Sequence, residues 1–156
     1  GRGASGFVPM LLDHAAKSGE SIYIDDGAIH TSGVNVDDAA AMYLFAVEKS
    51  KPGDVWNCCE DKSVSIKDLA GAVGEVMKVP TRSITIEEAM KRGGPLLALI
   101  LSLANRPSNK KAKRELGWEP TRLDILEDVK AGSYSQLAAN LMQGQVDIKH
   151  YKTESG

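Results

Sequence analysis

The stretch Gly33-Val34-Asn35-Val36-Asp37-Asp38-Ala39-Ala40-Ala41-Met42-Tyr43-Leu44-Phe45-Ala46-Val47-Glu48-Lys49-Ser50 joins a strand-like pattern to a helix-like one. Val34 and Val36 alternate with small or polar residues, which predicts the end of a half-buried strand. Either Asp37 or Asp38 can cap the helix that follows, because a carboxylate accepts hydrogen bonds from the free N–H groups of a first turn. Helical spacing then predicts one buried apolar face, formed by Ala40, Tyr43, Leu44 and Val47.

The rest of the chain is predicted to be mostly helical, with a few short strands. A turn at Pro52-Gly53 leads to a predicted strand, Val55-Trp56-Asn57-Cys58. Further strands are predicted at 21–24 and 83–84. Predicted helices cover about 7–17 (capped by Ser5), 66–78 (capped by Ser65), 85–92, 95–104, 109–116 and 123–142, the last interrupted near Gly132. Residues 1–142 are predicted to form one unit, followed by a polar tail over 143–156.

The composition of the chain is that of a soluble globular protein. Of its 156 residues, 42% are hydrophobic and 26% are charged, and the net charge is −2. A cluster of basic residues at 110–114 is followed by Glu115 and Glu119, which favours a solvated helix face over a nucleic-acid site. No run approaches the roughly 20 apolar residues of a membrane span, and we see no leader pattern. We therefore expect a cytoplasmic protein with no nucleic-acid or membrane partner.

The cysteine and histidine content predicts neither a disulfide nor a metal site. Cys58 and Cys59 are adjacent, and neighbouring residues on a strand point to opposite faces. A disulfide between them would be strained, so we expect two reduced thiols. The three histidines are too scattered in the sequence to suggest metal ligands.

Several motifs, in order along the chain, resemble those of one enzyme family. The residues 34–40 look like the V-H-V-D-D-v-A signature of extended and atypical short-chain dehydrogenases/reductases, the NAD(P)-dependent epimerase/dehydratase superfamily. Residues 6–11 resemble the helix after the family's Y-G-p element, and 111–120 resemble its K-a-r-x-E-L-G-W-x-P motif. Residues 126–134 resemble the closing helix of one atypical branch. The resemblance spans about residues 1–134.

The resemblance implies an α/β fold, the C-terminal part of a Rossmann-like NAD(P)-binding fold with few strands and several flanking helices. The family's nucleotide-binding half and its Tyr-x-x-x-Lys pair lie upstream of these motifs. The resemblance therefore implies that the intact enzyme uses NAD(P) and that this chain alone binds no cofactor. It also implies that an upstream nucleotide-binding half is the partner of this chain. Ala138 stands four residues after Tyr134, where the family's catalytic lysine would be. We therefore predict no catalytic residue in this chain.

By the same resemblance, the chain would line the cleft for a small carbonyl or hydroxyl substrate. The residues predicted to line it are Ser5, Phe7, Pro9, His30 and Thr31. Thr31 stands where sugar-nucleotide epimerases have an arginine that grips phosphate, which argues against a nucleotide-sugar substrate. His30 could instead be an ordinary exposed loop histidine.

Three alternatives stay open at this point. Gly1-x-Gly3-x-x-Gly6, with Asp25 or Asp26 about 20 residues later, fits the dinucleotide fingerprint. We expect instead a loop at the substrate cleft, because no strand precedes the first glycine. Paired carboxylates at 37–38 could serve acid/base chemistry as well as capping. Finally, the chain could be a non-catalytic binding or regulatory module of dehydrogenase ancestry.

Overall fold

The computed structural model describes residues 6–144, which fold into helices packed around two small sheets. The helices are α1 Phe7–Ser18, α2 Val36–Lys49, α3 Ile66–Met77, α4 Ile86–Ser102, α5 Lys110–Leu116, α6 Ile125–Ala131 and α7 Ser133–Met142. The strands are β1 Ser21–Ile24, β2 His30–Thr31, β3 Val64–Ser65 and β4 Thr81–Ile84. The predicted α/β class, with few strands and several flanking helices, is confirmed.

The two sheets differ in strand direction. β1 and β4 run parallel, with Ser21 opposite Thr81 and Ile24 opposite Ile84. A parallel pair needs a long crossover connection, which here contains α2 and α3. β2 and β3 are antiparallel, with His30 opposite Ser65.

The helix α3 lies at the centre of the main core. Its first turn is capped by the Ser65 hydroxyl, which accepts a hydrogen bond from the Asp68 amide at 3.0 Å. Its apolar stripe is buried against α1, α7 and β1, and Leu69 and Val73 are fully excluded from solvent. The helix ends at Met77, and Lys78, its C-cap, adopts the left-handed conformation. The sequence prediction for this element is confirmed.

The helix α4 is kinked where the sequence predicts a break between two helices. The Thr85 hydroxyl accepts from the Glu88 amide at 3.2 Å and caps the first part. Gly94 leaves the helical region with φ of 75°, and Pro95 starts the second part. The second part ends at Ser102, two residues before the predicted end.

A second, smaller core joins α2 to α5. Its fully buried members are Met42, Ala112, Leu116 and Trp118. Gly117 ends α5 in the left-handed conformation, as predicted. The predicted interruption at Gly132 is also confirmed, since it separates α6 from α7.

The prediction for the start of α2 is wrong in two respects. Residues 34 and 35 form no strand, and the short strand before this helix is β2. The helix is capped by Asn35, whose side-chain oxygen accepts from the Asp37 amide at 3.0 Å, and not by Asp37 or Asp38. An Asn side chain placed two residues before the donor completes this turn as well as a carboxylate does.

The predicted buried face of α2 is also wrong. Tyr43, Leu44 and Val47 are 73%, 68% and 85% exposed, and Ala40 is exposed as well. The helix instead buries Met42 and Asp38. Met42 packs in one cluster with Trp118, and Asp38 accepts hydrogen bonds from Trp118 and Arg122.

The prediction of a strand at 55–58 is wrong. Within residues 6–144 this segment pairs with no other strand. The predicted cap of α1, Ser5, lies outside the described residues, and the cap position of this helix is occupied by Gly6. The predicted polar tail also lies outside them from residue 145 onward.

Candidate functional site

A cleft of about 380 Å³ opens where the start of α1 faces the loop between β2 and α2. This volume is within the range of small-molecule sites. Most of its wall is apolar and includes Phe7, Val34, Leu123 and Ile125. Its polar groups are few, and they come from Ser32, Asn35, Glu60, Asp128 and Tyr134.

Glu60 is one of two carboxyl side chains that line this cleft, the other being Asp128. The Glu60 amide donates to the Gly33 carbonyl at 2.8 Å, which ties the residue to the loop before α2. Its Oε2 accepts from the Ile125 amide, the first of α6, at 3.4 Å. Burial raises the pKa of Glu60 from its ordinary 4.5 to about 7, although the Ile125 hydrogen bond acts in the opposite direction. Near neutral pH this carboxyl can therefore donate or accept a hydrogen bond.

The turn between α6 and α7 forms another wall of the cleft. Asp128 is buried, and it accepts hydrogen bonds from the Ser133 amide at 2.7 Å and hydroxyl at 3.0 Å. A Cβ at Gly132 would lie 2.2 Å from Asp128 Oδ1 and 2.7 Å from its Cα, so only glycine fits between them. This tight turn presents the buried Tyr134 to the cleft.

The structure separates the five residues that the sequence predicts at the substrate cleft. Phe7 lines the cleft. Pro9 is buried in the first turn of α1 and does not reach the cleft wall. His30 and Thr31 lie on β2, where His30 Nδ1 is 3.0 Å from the Ser63 hydroxyl oxygen and Thr31 pairs with Val64. Ser5 lies outside the described residues. Substrate binding by these residues stays a prediction.

Sequence reasoning missed Ser32, Glu60 and Ile125 as cleft residues. Ser32 follows directly on the predicted pair His30 and Thr31, so a wider window would have included it. Glu60 comes just after a predicted strand, which is a common place for functional side chains. Ile125 had no signal of its own, because it reaches the cleft only through the packing of α6.

The two carboxylates at 37–38 do not form an acid/base pair in this structure. Asp38 is 4% exposed, and its Oδ1 accepts from the Thr121 amide at 3.1 Å and hydroxyl at 3.2 Å. Its Oδ2 accepts from the Arg122 amide at 3.0 Å. The Trp118 indole N–H donates to the Asp38 carbonyl at 2.9 Å. Asp38 therefore joins the start of α2 to the segment after α5.

Both cysteines are free thiols, as predicted, and burial raises the pKa of each. Within residues 6–144, no three His, Cys, Asp or Glu side chains are grouped so as to hold a metal ion. No helix in the same part of the chain is long and apolar enough to cross a bilayer.

The pKa of Glu60 leads to a prediction about pH dependence. Because the folded state binds this proton more tightly than the unfolded state, the Glu60 contribution to the free energy of unfolding should decrease as pH rises from about 4.5 to about 7, and level off above. Urea unfolding at a series of pH values, for the wild type and Glu60→Gln, measures this. The difference between the two curves should follow that trend, and Glu75→Gln, an exposed control on α3, should not show it. A difference independent of pH would contradict the prediction.

No family model matches the chain. It is 32% identical over 131 residues to an uncharacterized protein of Saccharomyces cerevisiae, an alignment that covers 84% of this chain and 44% of the relative. An uncharacterized protein of Schizosaccharomyces pombe is 33% identical over 134 residues, which cover 86% of this chain and 45% of the relative. The UDP-glucose 4-epimerase of Corynebacterium glutamicum is 27% identical over 127 residues, covering 76% and 36%. The chain thus spans less than half the length of the curated relatives it matches.

Solved structures of epimerases share the fold. The UDP-glucose 4-epimerase of Thermotoga maritima, solved with UDP-glucose, has a TM-score of 0.59 and 20% identity, over 86% of this chain and 40% of that one. The UDP-glucuronic acid 4-epimerase of Bacillus cereus, solved with NAD, has a TM-score of 0.59 and 15% identity. The match covers 86% of this chain and 39% of that one. This chain therefore has the fold of the C-terminal part of such Rossmann-like enzymes.

Proposed function

We propose that this chain is the C-terminal, substrate-side portion of an NAD(P)-dependent oxidoreductase or epimerase-like enzyme. The observation that carries the proposal is a cleft of small-molecule size with Glu60 at its wall. The fold around it matches about 40% of the length of each of two epimerase structures, one solved with UDP-glucose and one with NAD. In this proposal residues 1–142 act as one unit. The two free thiols are in keeping with a cytoplasmic location.

We place no dinucleotide site at the N-terminal glycines, because the motif resemblance puts the family's nucleotide-binding half upstream of the motifs in this chain. Gly1 and Gly3 themselves lie outside the described residues. We therefore assign the cofactor, together with the family's tyrosine and lysine, to an upstream half, and expect no cofactor on this chain alone.

The role of this chain would be to bind and orient a small carbonyl or hydroxyl substrate. Phe7 and Ile125 provide apolar walls, and such walls exclude water from a bound substrate. Glu60 and Ser32 provide polar groups of the kind that fix a substrate oxygen. With its pKa near 7, Glu60 can donate a hydrogen bond to a carbonyl or accept one from a hydroxyl.

The alternative of a non-catalytic module is less well supported. A module that folds and works alone would be expected to cover its apolar surface. Here Tyr43, Leu44 and Val47 are exposed on one helix, as in a half-molecule whose other half is missing.

Reconstitution tests the proposal. The part of the Saccharomyces cerevisiae relative outside the aligned region is co-expressed with this chain, and oxidation of NADPH or NADH is followed with simple aldehydes and ketones. We expect turnover from the two parts together and none from either alone. A complex in which Phe7→Asp leaves turnover unchanged would contradict a substrate-side role, and turnover by this chain alone would contradict the assignment of the cofactor to the other part.

A further inference from the structure

We infer that the cleft selects its substrate by charge: it binds an uncharged carbonyl or hydroxyl compound with an apolar body and excludes anions, phosphorylated compounds included. The inference rests on the proposed function and adds to it the chemical class of the substrate. It concerns the wall that this chain supplies, which is built largely from the starts of α1, α2, α6 and α7 and from the loop before α2.

The charged side chains at the cleft wall are acidic. Glu60 and Asp128 line the cleft, and none of the described residues that line it is Lys, Arg or His. Arg122, which precedes the cleft residue Leu123 in the sequence, is exposed and donates its backbone amide to Asp38. A negatively charged ligand would therefore meet carboxylates without a cation from this part of the wall. Like charges placed together in this way disfavour binding strongly.

The helix starts at this cleft do not turn it into an anion site, although helix N-termini normally attract anions. Three of the four already interact with side chains of the chain itself. The start of α2 is capped by Asn35. At α6, Glu60 accepts from the Ile125 amide at 3.4 Å, and at α7, Asp128 accepts from the Ser133 amide at 2.7 Å. The protein's own oxygens thus take positions that the oxygens of a bound anion would take.

The start of α1 is the remaining helix end at the cleft. No side chain of its cap residue, Gly6, accepts a hydrogen bond there, and its first turn contains no acidic residue. Its first two residues, Phe7 and Val8, line the cleft. A helix end carries the equivalent of about half a unit charge, which is less than the charge of a single ionised carboxyl. The start of α1 therefore does not offset the acidic side chains.

The rest of the wall favours a ligand with an apolar body. Val34, Leu123 and Ile125 provide apolar surface, and the Ser32 hydroxyl is an uncharged polar group beside them. The cleft volume of about 380 Å³ is sufficient for a small compound. Apolar walls gain affinity by removing apolar ligand surface from water, and a few polar groups then fix one oxygen of the ligand. An uncharged aldehyde, ketone or alcohol fits this description.

The ionisation of Glu60 should make this selection depend on pH. Burial raises the pKa of Glu60 to about 7; the Ile125 hydrogen bond lowers it, and the nearby Asp124 and Asp38 raise it further. Asp128 faces the same cleft. Glu60 is therefore mostly neutral well below pH 7 and mostly ionised well above it. Rising pH should thus weaken the binding of anions and strengthen the binding of cations.

Three probes that share one apolar ring test the selection. Benzyl alcohol is neutral, benzoate is an anion and benzylamine is a cation, and each keeps its charge between about pH 5.5 and about pH 8. Their binding to the chain is followed by NMR through the amide shifts of Gly33 and Ile125, which line the cleft. At about pH 8 benzoate should bind at least about tenfold more weakly than the alcohol, and benzylamine at least as tightly. At about pH 5.5 the ratio between alcohol and benzoate should be at least about threefold smaller.

Two variants with matched controls assign the effect to the cleft. Glu60→Gln keeps the size of the side chain and removes its charge, so the ratio should no longer depend on pH, whereas the exposed control Glu75→Gln should leave the pH dependence intact. Leu123→Lys places a cation at the wall, at a position that is 47% exposed and so tolerates the change. It should strengthen benzoate binding at least about threefold. Leu96→Lys, at a 56% exposed position on α4, should not.

The opposite results overturn the inference. Benzoate that binds as tightly as benzyl alcohol at about pH 8, as it would if the start of α1 held an anion, contradicts selection by charge. So does a ratio that still depends on pH in Glu60→Gln. Failure of all three probes to shift the cleft amides shows that the cleft is not a formed site, and this also overturns the inference. The proposed function is decided separately, by turnover in the reconstituted pair.

Discussion

Replacement of Trp118 by alanine should lower the free energy of unfolding by about 4 kcal/mol, the largest effect we expect from a single side chain. Trp118 is 1% exposed and is the largest side chain in the second core, where it packs with Met42, Ala112 and Leu116. Its removal would leave a cavity that the few remaining side chains cannot fill. It would also leave the Asp38 carbonyl without its indole donor.

Urea unfolding followed by circular dichroism measures this effect. Trp118→Phe keeps an aromatic ring and loses the N–H donor, so it should cost less than half as much as alanine. Trp56→Ala is the matched control, because Trp56 is half-buried at the edge of the same core. If Trp118→Ala were no more destabilising than Trp56→Ala, the second core would not be organised around Trp118.

Replacement of Asp38 by alanine should cost about 3 kcal/mol, the second largest effect. The carboxylate accepts three hydrogen bonds, from the Thr121 amide and hydroxyl and from the Arg122 amide. Without it, these donors would lose their partner at a buried site. The same urea experiment applies, and Asp37→Ala on the first turn of the helix should cost less than about 1 kcal/mol.

The pair of variants separates two roles for this motif. A structural role of Asp38 predicts that Asp38→Ala destabilises the chain far more than Asp37→Ala. Equal and small effects of the two substitutions would contradict it and would reopen the acid/base interpretation of the two carboxylates.

Local signals explain which parts of the fold were predictable from sequence. The limits of α3 follow from the Ser65 cap, an apolar stripe and a stop near Val79, all of which act within a few residues. The same holds for Gly94 in the kink of α4 and Gly117 at the end of α5. Each of these residues answers a backbone requirement that its neighbours alone define.

The errors arise where distant parts of the chain decide. The helix α2 has two apolar sides, and the choice between them depends on Trp118, which lies far along the chain. The strand predicted at 55–58 has the right composition, but a strand also needs a partner. The raised pKa of Glu60 could not be predicted either, because it comes from burial, and that burial depends on segments distant in sequence.

The most direct test of the central claim is a fluorescence titration of the purified chain with NADPH and NADH. We expect no saturable binding of either nucleotide, because the proposed function assigns the cofactor site to an upstream half. Micromolar binding that Gly3→Val abolishes would contradict it and would identify the N-terminal glycine loop as a cofactor site.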